Sequence, residues 1–595
     1  MAHQSECVNR LSIRTIEVRS VSCLPQPNPA SADVWLLVLP FDHRIEDIDL
    51  HGRWSASLRR FAQELNPRSV LTILTSPQDA AEIWLRVSDI LQFQLMVEVK
   101  LRAPIDCSPY QLPRHHAALL VLSRYRGSLR HTKTRIAYTY CPACDRTTKD
   151  YGGKKHTYHE YGTLISDIWR DIDYSPGEEP SAVVDRLADL FGLEPHRELV
   201  VAIVVPSRSE SVRLMEGNDQ PVDSPETRKP VPLGLINGDA IQELQRLPTD
   251  SVDFCFADPP YNLAKRYDSW SDALEVREYL AWCDRWLDEL ARILRPGRTC
   301  AVLNIPILAF RHFQHMRLTL NFQSWIAWEG LSLPVRMIMP AHYAIVCFSK
   351  GSPRPLPGLA QCRRSPVESE ALTAMREGYC LREWCVKARR LQGPDCQPIT
   401  DLWWDIHRLK HNSRRVDHPC QLPPALMRRL IATFTYEGEV VLDPFNGAGT
   451  TTLCAETLGR RYIGIELSRK YHSLAESRHK LLKAGGNPFG KASGVPAVKN
   501  SRVRRVGGLK YAVPKKKLQL EVKRVAKLIG RLPSRGDLEK YSCYPIRYYE
   551  EYFINWGEVC AAARTTGMSE RRMDKASVNI DQPTLFDDFK GGSST

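Results

Sequence analysis

The sequence predicts an α/β chain with two open, doubly wound sheets in tandem, the first a degenerate copy of the second, followed by a small helical domain. Three observations lead there. Residues 233–480 alternate strand-type apolar runs with amphipathic helical stretches. Residues 1–230 repeat several of those segments in the same order. After Arg478 the chain turns basic, with Gly and Pro spread through it, and then returns to short helical periodicity.

At 595 residues the chain is too long for one core, and its 43% hydrophobic and 25% charged residues are those of a globular protein. Its segments divide as 1–228 and 229–486 for the two sheets, 487–517 for a basic linker, 518–572 for a helical module and 573–595 for a tail. A net charge of +14 favours a polyanionic partner, nucleic acid before membrane. No apolar run is long enough to span a bilayer, and "MAHQSECVNR" is not of secretory-signal type. The seventeen Cys lack disulfide-like spacing, so a cytoplasmic, reducing setting with free or metal-bound thiols is expected.

In the second half, residues 235–262 read as a short strand, a loop holding Gly238 and Asp239, a helix, and a strand ending in Asp258-Pro259-Pro260-Tyr261. Two consecutive prolines stop that strand and stiffen the turn after it. Residues 279–306 give an amphipathic helix, an Arg-Pro-Gly break and a strand, and 336–351 add another strand. Residues 417–478 give a helix, the strand "EVVLD", a glycine turn, a helix from the Thr450 run and a strand ending in Glu466. Gly447 and Gly449 let the backbone approach a ligand at the strand's carboxyl end. Glu466, at the tip of the next strand, is placed to bind ribose hydroxyls.

Asp258-Pro259-Pro260-Tyr261 followed by Asp443-Pro444-Phe445-Asn446-Gly447-Ala448-Gly449-Thr450 resembles the bacterial amino-methyltransferases of DNA, in the motif order of their β class. "HPCQLP" (418–423) is similar to the "HPTQKP" before the cofactor strand of that class, departing from it at Cys420 and Leu422. The resemblance covers residues 233–480 and implies Rossmann-like S-adenosylmethionine methyltransferase domains, the N-terminal one degenerate. It implies cofactor contacts from Asp239, Asp443, Pro444, Phe445, Asn446, Gly447, Gly449, Thr450 and Glu466. Double-stranded DNA is the implied partner, with restriction or phage-defence subunits as further ones.

The residue types suit that chemistry. An exocyclic amine is a poor nucleophile because its lone pair is delocalised into the ring, and it must lie in line with the sulfonium methyl. The Asp258 carboxylate and the Pro259 carbonyl, fixed by the turn, can accept its two N–H bonds and stabilise the charge developing on nitrogen. Tyr261 would stack on a base flipped out of the duplex. The resemblance makes Asp-Pro-Pro-Tyr commoner for N6-adenine and Ser-Pro-Pro-Tyr a mark of many N4-cytosine enzymes. Adenine is expected, with N4-cytosine the alternative. A non-catalytic DNA-binding scaffold and an RNA methyltransferase are the rival classes.

Collinear matches carry the reading of the first half. "SDIWRDI" (166–172) matches "TDLWWDI" (400–406), and "LQFQ" (91–94) matches "LNFQ" (320–323). "LPRHHAALLVLSR" (112–124) and "SAVVDRLADLF" (181–191) resemble "MPAHYAIVCFSK" (339–350) and "PALMRRLIATF" (424–434). Where the second copy has "FADPPYN" the first has "VLPFDHR" (38–44), and a glycine-free "VVAIVVPSRSE" (200–210) stands for the glycine turn. An inactive partner domain is expected, docked on the active one. Glu98-Val99-Lys100 also resembles the acid-x-Lys of restriction nucleases, but the copy alignment accounts better for that strand.

Cys141-x2-Cys144, followed by His156 and His159, lies near zinc-finger spacing. Zinc held by Cys141 and Cys144, completed by Cys380 and Cys385 from the second copy, is one reading; free cysteines in a turn are the other. Residues 487–517 carry nine Lys or Arg and no acid, as in a tether that tracks a phosphate backbone or a plain solvated linker. Residues 518–567 read as three short helices around Leu520, Val525, Leu528, Leu538, Tyr548, Phe553, Trp556 and Val559. Gly530-Arg531-Leu532-Pro533-Ser534 and Phe553-Ile554-Asn555-Trp556 resemble the small helical repeats beside homing endonucleases, which implies an accessory DNA-binding module. In the tail, Gln582, Leu585 and Phe586 are similar to the Gln-x-x-Leu-Phe peptide that docks bacterial sliding clamps.

Overall fold

Apolar runs with a period of two pair into two large sheets. The computed structural model describes residues 12–18, 33–41, 52–125, 132, 134–147, 163–193, 198–204, 230–262, 274–330, 338, 340–362, 364–408, 421–489, 515–553, 556 and 559. The first half contributes β1 (Ser12–Val18), β2 (Val34–Val38), α1 (Arg53–Glu64), β3 (Val70–Thr75), α2 (Pro77–Val87), β4 (Gln92–Ile105), β5 (Arg114–Ser123), β6 (Ile168–Tyr174), α3 (Ser181–Phe191) and β7 (Glu198–Val204). Its strands lie in the order β1-β7-β2-β3-β5-β4-β6.

The second half runs β8 (Gly234–Asn237), α4 (Ala240–Gln245), β9 (Val252–Ala257), α5 (Val276–Ile293), β10 (Leu294–Asn304), α6 (Pro306–Met316), β11 (Asn321–Glu329) and β12 (His342–Ser349). It continues with α7 (Pro366–Ala371), α8 (Glu383–Gln392), β13 (Leu402–Trp403), α9 (Pro424–Phe434), β14 (Val440–Asp443), α10 (Thr450–Thr457), β15 (Arg461–Glu466) and α11 (Arg469–Lys483). The order is β8-β15-β14-β9-β10-β12-β11-β13. Arg295-Pro296-Gly297, expected as a break, falls inside β10, where the pairing with β9 shifts and Gly297 takes a φ of +72°.

Six strands of each sheet stand in the same order with the same directions. β7, β2 and β3 are mutually parallel, β5 is antiparallel to β3 and β4, and β4 is parallel to β6. In the second sheet β14, β9, β10, β12, β11 and β13 repeat that pattern. Even the irregularity recurs, between Phe93 and Leu95 on β4 and between Phe322 and Ser324 on β11. β1 precedes β2 as β8 precedes β9, yet it pairs directly with β7. Strand β15, which carries Glu466, therefore has no counterpart among the described residues.

Register corrects the alignment drawn from sequence. Val34 pairs with Val70 and Val70 with Ser123, while Phe254 pairs with Thr299 and Thr299 with Ser349. Val34 thus takes the place of Phe254, and four residues on Val38-Leu39-Pro40-Phe41 takes the place of Asp258-Pro259-Pro260-Tyr261, two residues from the expected match. Likewise Leu199 pairs with Val34 as Val441 pairs with Phe254, so Val201 stands where Asp443 does. β7 then continues as strand to Val204, through the place where β14 ends and the glycine turn begins.

The two sheets belong to one compact unit and meet at a buried charge cluster. Asp401 Oδ1 accepts from the His115 N–H and Asp167 Oδ1 from the Ala341 N–H, each at 2.7 Å. His116 Nδ1 lies 2.9 Å from Glu98, and His342 lies 3.0 Å from Asp167 and 3.4 Å from Glu98, all without solvent exposure on the histidine and glutamate side chains. Burial opposes charge on His342, but Asp167 and Glu98 outweigh it and raise its pKa to about 10. Burial is likewise outweighed at Glu98, where His116 and His342 bring the carboxyl down to about 2. Lys100 pairs with Asp173 and Glu377, so the acid-x-Lys pair faces partners inside the protein.

Residues 496–589 form a separate compact unit. It holds α12 (Lys515–Ile529), α13 (Arg535–Tyr541) and α14 (Ile546–Tyr552). Leu518, Val522, Val525, Leu538, Tyr549, Phe553 and Val559 form its core, while Leu520 and Leu528, expected inside, are 46% and 60% exposed. The buried stripe of α12 follows positions i, i+4 and i+7 from Leu518, which leaves those two leucines on another face. Gln582, Leu585 and Phe586 lie outside the described residues, as does most of the basic linker. No helix of the described residues is long and apolar enough to cross a membrane.

His342→Ala would leave Glu98 and Asp167 buried without their shared partner, at a cost of roughly 3–5 kcal/mol. The expected outcome is a clearly lowered melting temperature with earlier proteolytic cleavage between the halves. An unchanged melting temperature would contradict the role given to this cluster.

Candidate active site

The site forms where two parallel strands end side by side. β9 leads through α5 to β10 on one side, and β14 leads through α10 to β15 on the other, so a crevice opens at their carboxyl ends. Asp253, buried at the other end of β9, fixes their register. Its Oδ2 accepts from the Val440 N–H at 2.9 Å, and its Oδ1 takes a 2.7 Å bond from Arg295. Arg354 holds Glu439, the residue before β14, in a two-pronged contact at 2.6 and 2.5 Å.

The proline turn presents Asp258, Pro259, Pro260 and Tyr261 at the end of β9. Tyr261 Oη donates to Asp258 Oδ1 at 2.7 Å, which fixes the carboxylate. Tyr279, in the first turn of α5, donates to the Pro260 carbonyl at 2.7 Å and so steadies the proline turn. Asn262 takes a φ of +56° and exchanges two hydrogen bonds with Leu274, at 2.9 and 2.7 Å. The Tyr261 ring lies 6.4 Å from Tyr343, which stacks on Trp328 at 5.3 Å. These rings make an apolar wall beside the carboxylate.

The glycine turn follows β14. Asp443 Oδ1 accepts the Phe445 N–H at 2.9 Å, and the Phe445 ring sits 5.6 and 5.3 Å from Trp282 and Trp286 of α5. Gly447 and Gly449 have φ values of +50° and +80°, and a Cβ on Gly449 would come within 2.9 Å of the Ala475 side chain. The Gly447 N–H donates to Glu466 Oε2 at 2.7 Å, and the Ser468 N–H to Oε1 at 2.8 Å. Asn446 is held by Ile465 O and by Thr452 Oγ1, and Gly464 has no room for a side chain against it. Thr450 opens α10 behind the turn, Pro444 continues from Asp443, and the buried Arg478 donates to the Ala448 carbonyl.

Asp239 caps α4 through the Gln242 N–H at 3.1 Å, and the neighbouring Gly238 N–H reaches the Glu466 carbonyl oxygen at 3.1 Å. Asp239 thus has a structural task and still lies beside Glu466. Of "HPCQLP", Gln421, Leu422 and Pro423 lead into α9, while His418, Pro419 and Cys420 lie outside the described residues. Tyr279, Trp282, Tyr343, Asp253 and Arg478 were not singled out from sequence. The Trp282–Trp286 spacing at i, i+4 on one helix face is the signal that could have marked two of the aromatic positions.

Three acids converge here. Burial, followed by the nearby Asp258 and Glu466 charges, pushes the Asp443 carboxyl up to about 7.

Residues 252–477, which span both turns, match the sequence model of a family described as DNA methylase, N6_N4_Mtase. The type II methyltransferase M.HpaI of Haemophilus parainfluenzae is 30% identical over 249 residues, 41% of this chain and 73% of that protein. The chain belongs to the N6/N4 DNA methylase family. M.BamHI of Bacillus amyloliquefaciens, also a type II methyltransferase, is 34% identical over 236 residues, and the match spans 39% of this chain and only 54% of that relative. The DNA adenine methyltransferase YhdJ of Escherichia coli K12 is 29% identical over 240 residues, 40% of this chain and 79% of its own length. Among solved structures, PvuII DNA methyltransferase (cytosine-N4-specific) aligns at 18% identity over 41% of this chain and 84% of its own, with a TM-score of 0.28. The M1.HpyAVI–SAM complex aligns at 17% identity over 41% and 97%, with a TM-score of 0.26.

Asp443 binds its proton more tightly folded than unfolded, so its contribution to stability is fully present below the ordinary carboxylate pKa of about 4 and is lost as pH rises through about 7. Asp443→Asn keeps an acceptor for the Phe445 N–H and should flatten the stability curve across that window. Melting temperatures of both proteins from acid to neutral pH check this; parallel curves would contradict it.

Proposed function

We propose that the chain transfers a methyl group from S-adenosylmethionine to the N6 amine of adenine in double-stranded DNA. The observation that carries this reading is the meeting of the Asp258 turn and the Gly447–Gly449 turn at the ends of neighbouring strands. The turn fits the cofactor on structural grounds: Gly447 and Gly449 carry the backbone through left-handed conformations at the carboxyl end of β14, and the Gly447 and Ser468 N–H groups hold the Glu466 carboxylate at the tip of the neighbouring strand, where a ribose would lie. When bound, S-adenosylmethionine supplies an electrophilic methyl group on a sulfonium ion.

The chain's own residues would do the rest. Asp258 and the Pro259 carbonyl accept the two N–H bonds of the target amine, turning its lone pair toward the crevice, and Asp258 offsets the charge that develops on nitrogen. Tyr261, backed by Tyr343 and Trp328, supplies the aromatic face for a flipped base. Its hydroxyl holds Asp258 in a fixed rotamer before the base arrives. The acid that opens the motif and the adenine activity of YhdJ favour adenine, with N4-cytosine as the second reading within the same family. M.BamHI and M.HpaI, both type II methyltransferases, favour a restriction–modification setting.

The first sheet is read as an inactive copy. Val38 and Phe41 stand at the places of Asp258 and Tyr261, which removes the acceptor while keeping an apolar turn of similar bulk. Val201 stands at the place of Asp443, and β7 runs through the space of the glycine turn.

Incubating the purified chain with S-adenosylmethionine and duplex DNA, then analysing the nucleosides by mass spectrometry, is expected to give N6-methyldeoxyadenosine. N4-methyldeoxycytidine would overturn the choice of base, and methylation of RNA alone would overturn the choice of substrate. Asp258→Ala should lower the rate by at least about 10²-fold, and Tyr261→Ala by roughly 10- to 100-fold through lost stacking. Full activity in Asp258→Ala would place the chemistry elsewhere.

A further inference from the structure

Between β5 and β6 the first sheet carries an insert, and the second sheet carries one between β12 and β13, the corresponding pair of strands. Each insert brings two cysteines to a common point. Cys141 and Cys144 lie on a small hairpin, joined by the Cys144 N–H to the Cys141 carbonyl at 3.3 Å, with Asp145 in the left-handed region at φ +50°. Cys380 lies just before α8, and Cys385 lies in its first turn.

The four sulfurs lie within 4.8 Å of one another. Cys141 Sγ is 3.9 Å from Cys385 Sγ, and Cys144 Sγ is 3.8 Å from Cys380 Sγ. A disulfide needs about 2.05 Å. A zinc ion with Zn–S bonds of about 2.3 Å at the centre of a regular tetrahedron sets its sulfurs about 3.8 Å apart. The spacing fits the tetrahedron.

The surroundings suit thiolates. Arg382 donates to Cys144 Sγ at 3.2 Å and Arg389 to Cys385 Sγ at 3.0 Å, and each arginine is only 8% exposed. Arg389 is itself aimed by Asp395 at 2.8 Å and by the Cys380 carbonyl at 3.2 Å, so these cations are fixed partners of the sulfurs. His156 and His159, which sequence spacing offered as ligands, lie outside the described residues, and the set is complete without them.

We propose that Cys141, Cys144, Cys380 and Cys385 hold one structural zinc ion that fastens the insert of the first sheet to the insert of the second. Four protein ligands close the coordination sphere, so the ion has no open position for catalysis. Because two ligands come from each half, the metal binds only where both inserts are in place. Its contribution is to keep the first half's hairpin beside the catalytic half's insert, and the methyl-transfer site lies on other elements. The Arg146 guanidinium over the Trp384 ring, at 5.4 Å, adds a second contact between the same two inserts.

The test is the metal content of the full-length chain, purified without added metal. One zinc per chain by mass spectrometry is expected, with release of that zinc to a chromogenic chelator when a mercurial reagent blocks the thiols. Cobalt(II) exchanged into the native protein should show the intense visible bands of a tetrahedral thiolate site. Cys141→Ser and Cys385→Ser should each lose the zinc; since either variant can misfold, binding of S-adenosylmethionine by calorimetry checks that the crevice is intact. Zinc well below one per chain, iron in its place, an octahedral cobalt spectrum, or thiol titration revealing two disulfides would each overturn the proposal. The zinc result stands apart from the methyltransferase reading, whose failure would show as no cofactor binding in zinc-loaded protein.

Discussion

The site depends on one register. β14 must lie against β9 so that a proline turn and a glycine turn finish side by side, and Asp253 is the pin that sets this. It is almost fully buried, bonded to the Val440 N–H of the neighbouring strand and paired with Arg295. A slip of one residue would send every side chain of β14 to the other face of the sheet. Glu439, paired with Arg354, holds the start of the same strand, and Arg298 lies within 3.4 Å of Asp253 and 3.6 Å of Glu439. The chemistry at one end of the strands is thus aimed by ion pairs at the other end, where solvent is excluded and the pairs are rigid.

Both sheets share the order and directions of six strands, and they part at the strand that carries Glu466 and at the carboxyl ends of the strands beside it. In the proposed reading the first half kept the apolar interior of its sheet and lost the polar ends. A valine at the place of Asp443 removes the desolvation cost of an acid that is buried at a strand end. The halves meet around Glu98, His116, His342, Asp167 and Asp401, a nearly symmetrical set in which Ala327 holds the place opposite to Glu98. In the proposed reading that arrangement corresponds to the isologous contact of a two-fold dimer, drawn into one chain. Removing the chemistry from one half leaves the contact intact.

The proline and glycine turns were legible in sequence because each is a short contiguous run whose residue types have few other uses. Glu466 was legible because it ends a strand directly after the glycine helix. The placement of "VLPF" was not, and missed by two residues: a shift of two preserves the in–out alternation of a strand, so an apolar pattern cannot detect it. Tyr279 and Asp253 act through partners distant in the chain or across strands, and nothing local marks them. The face of α12 was misjudged because leucines lie on more than one side of that helix. The paired cysteines were visible as two pairs, and only the fold supplied the distance between them.

The central claim is that one of two equivalent sheets carries the whole active site. Calorimetric titration of the full-length chain with S-adenosylmethionine measures this directly. One binding site per chain is predicted, lost when Glu466 is replaced by Ala, with no second site appearing at higher cofactor concentration. Two sites per chain, or one site that survives Glu466→Ala, would contradict the account.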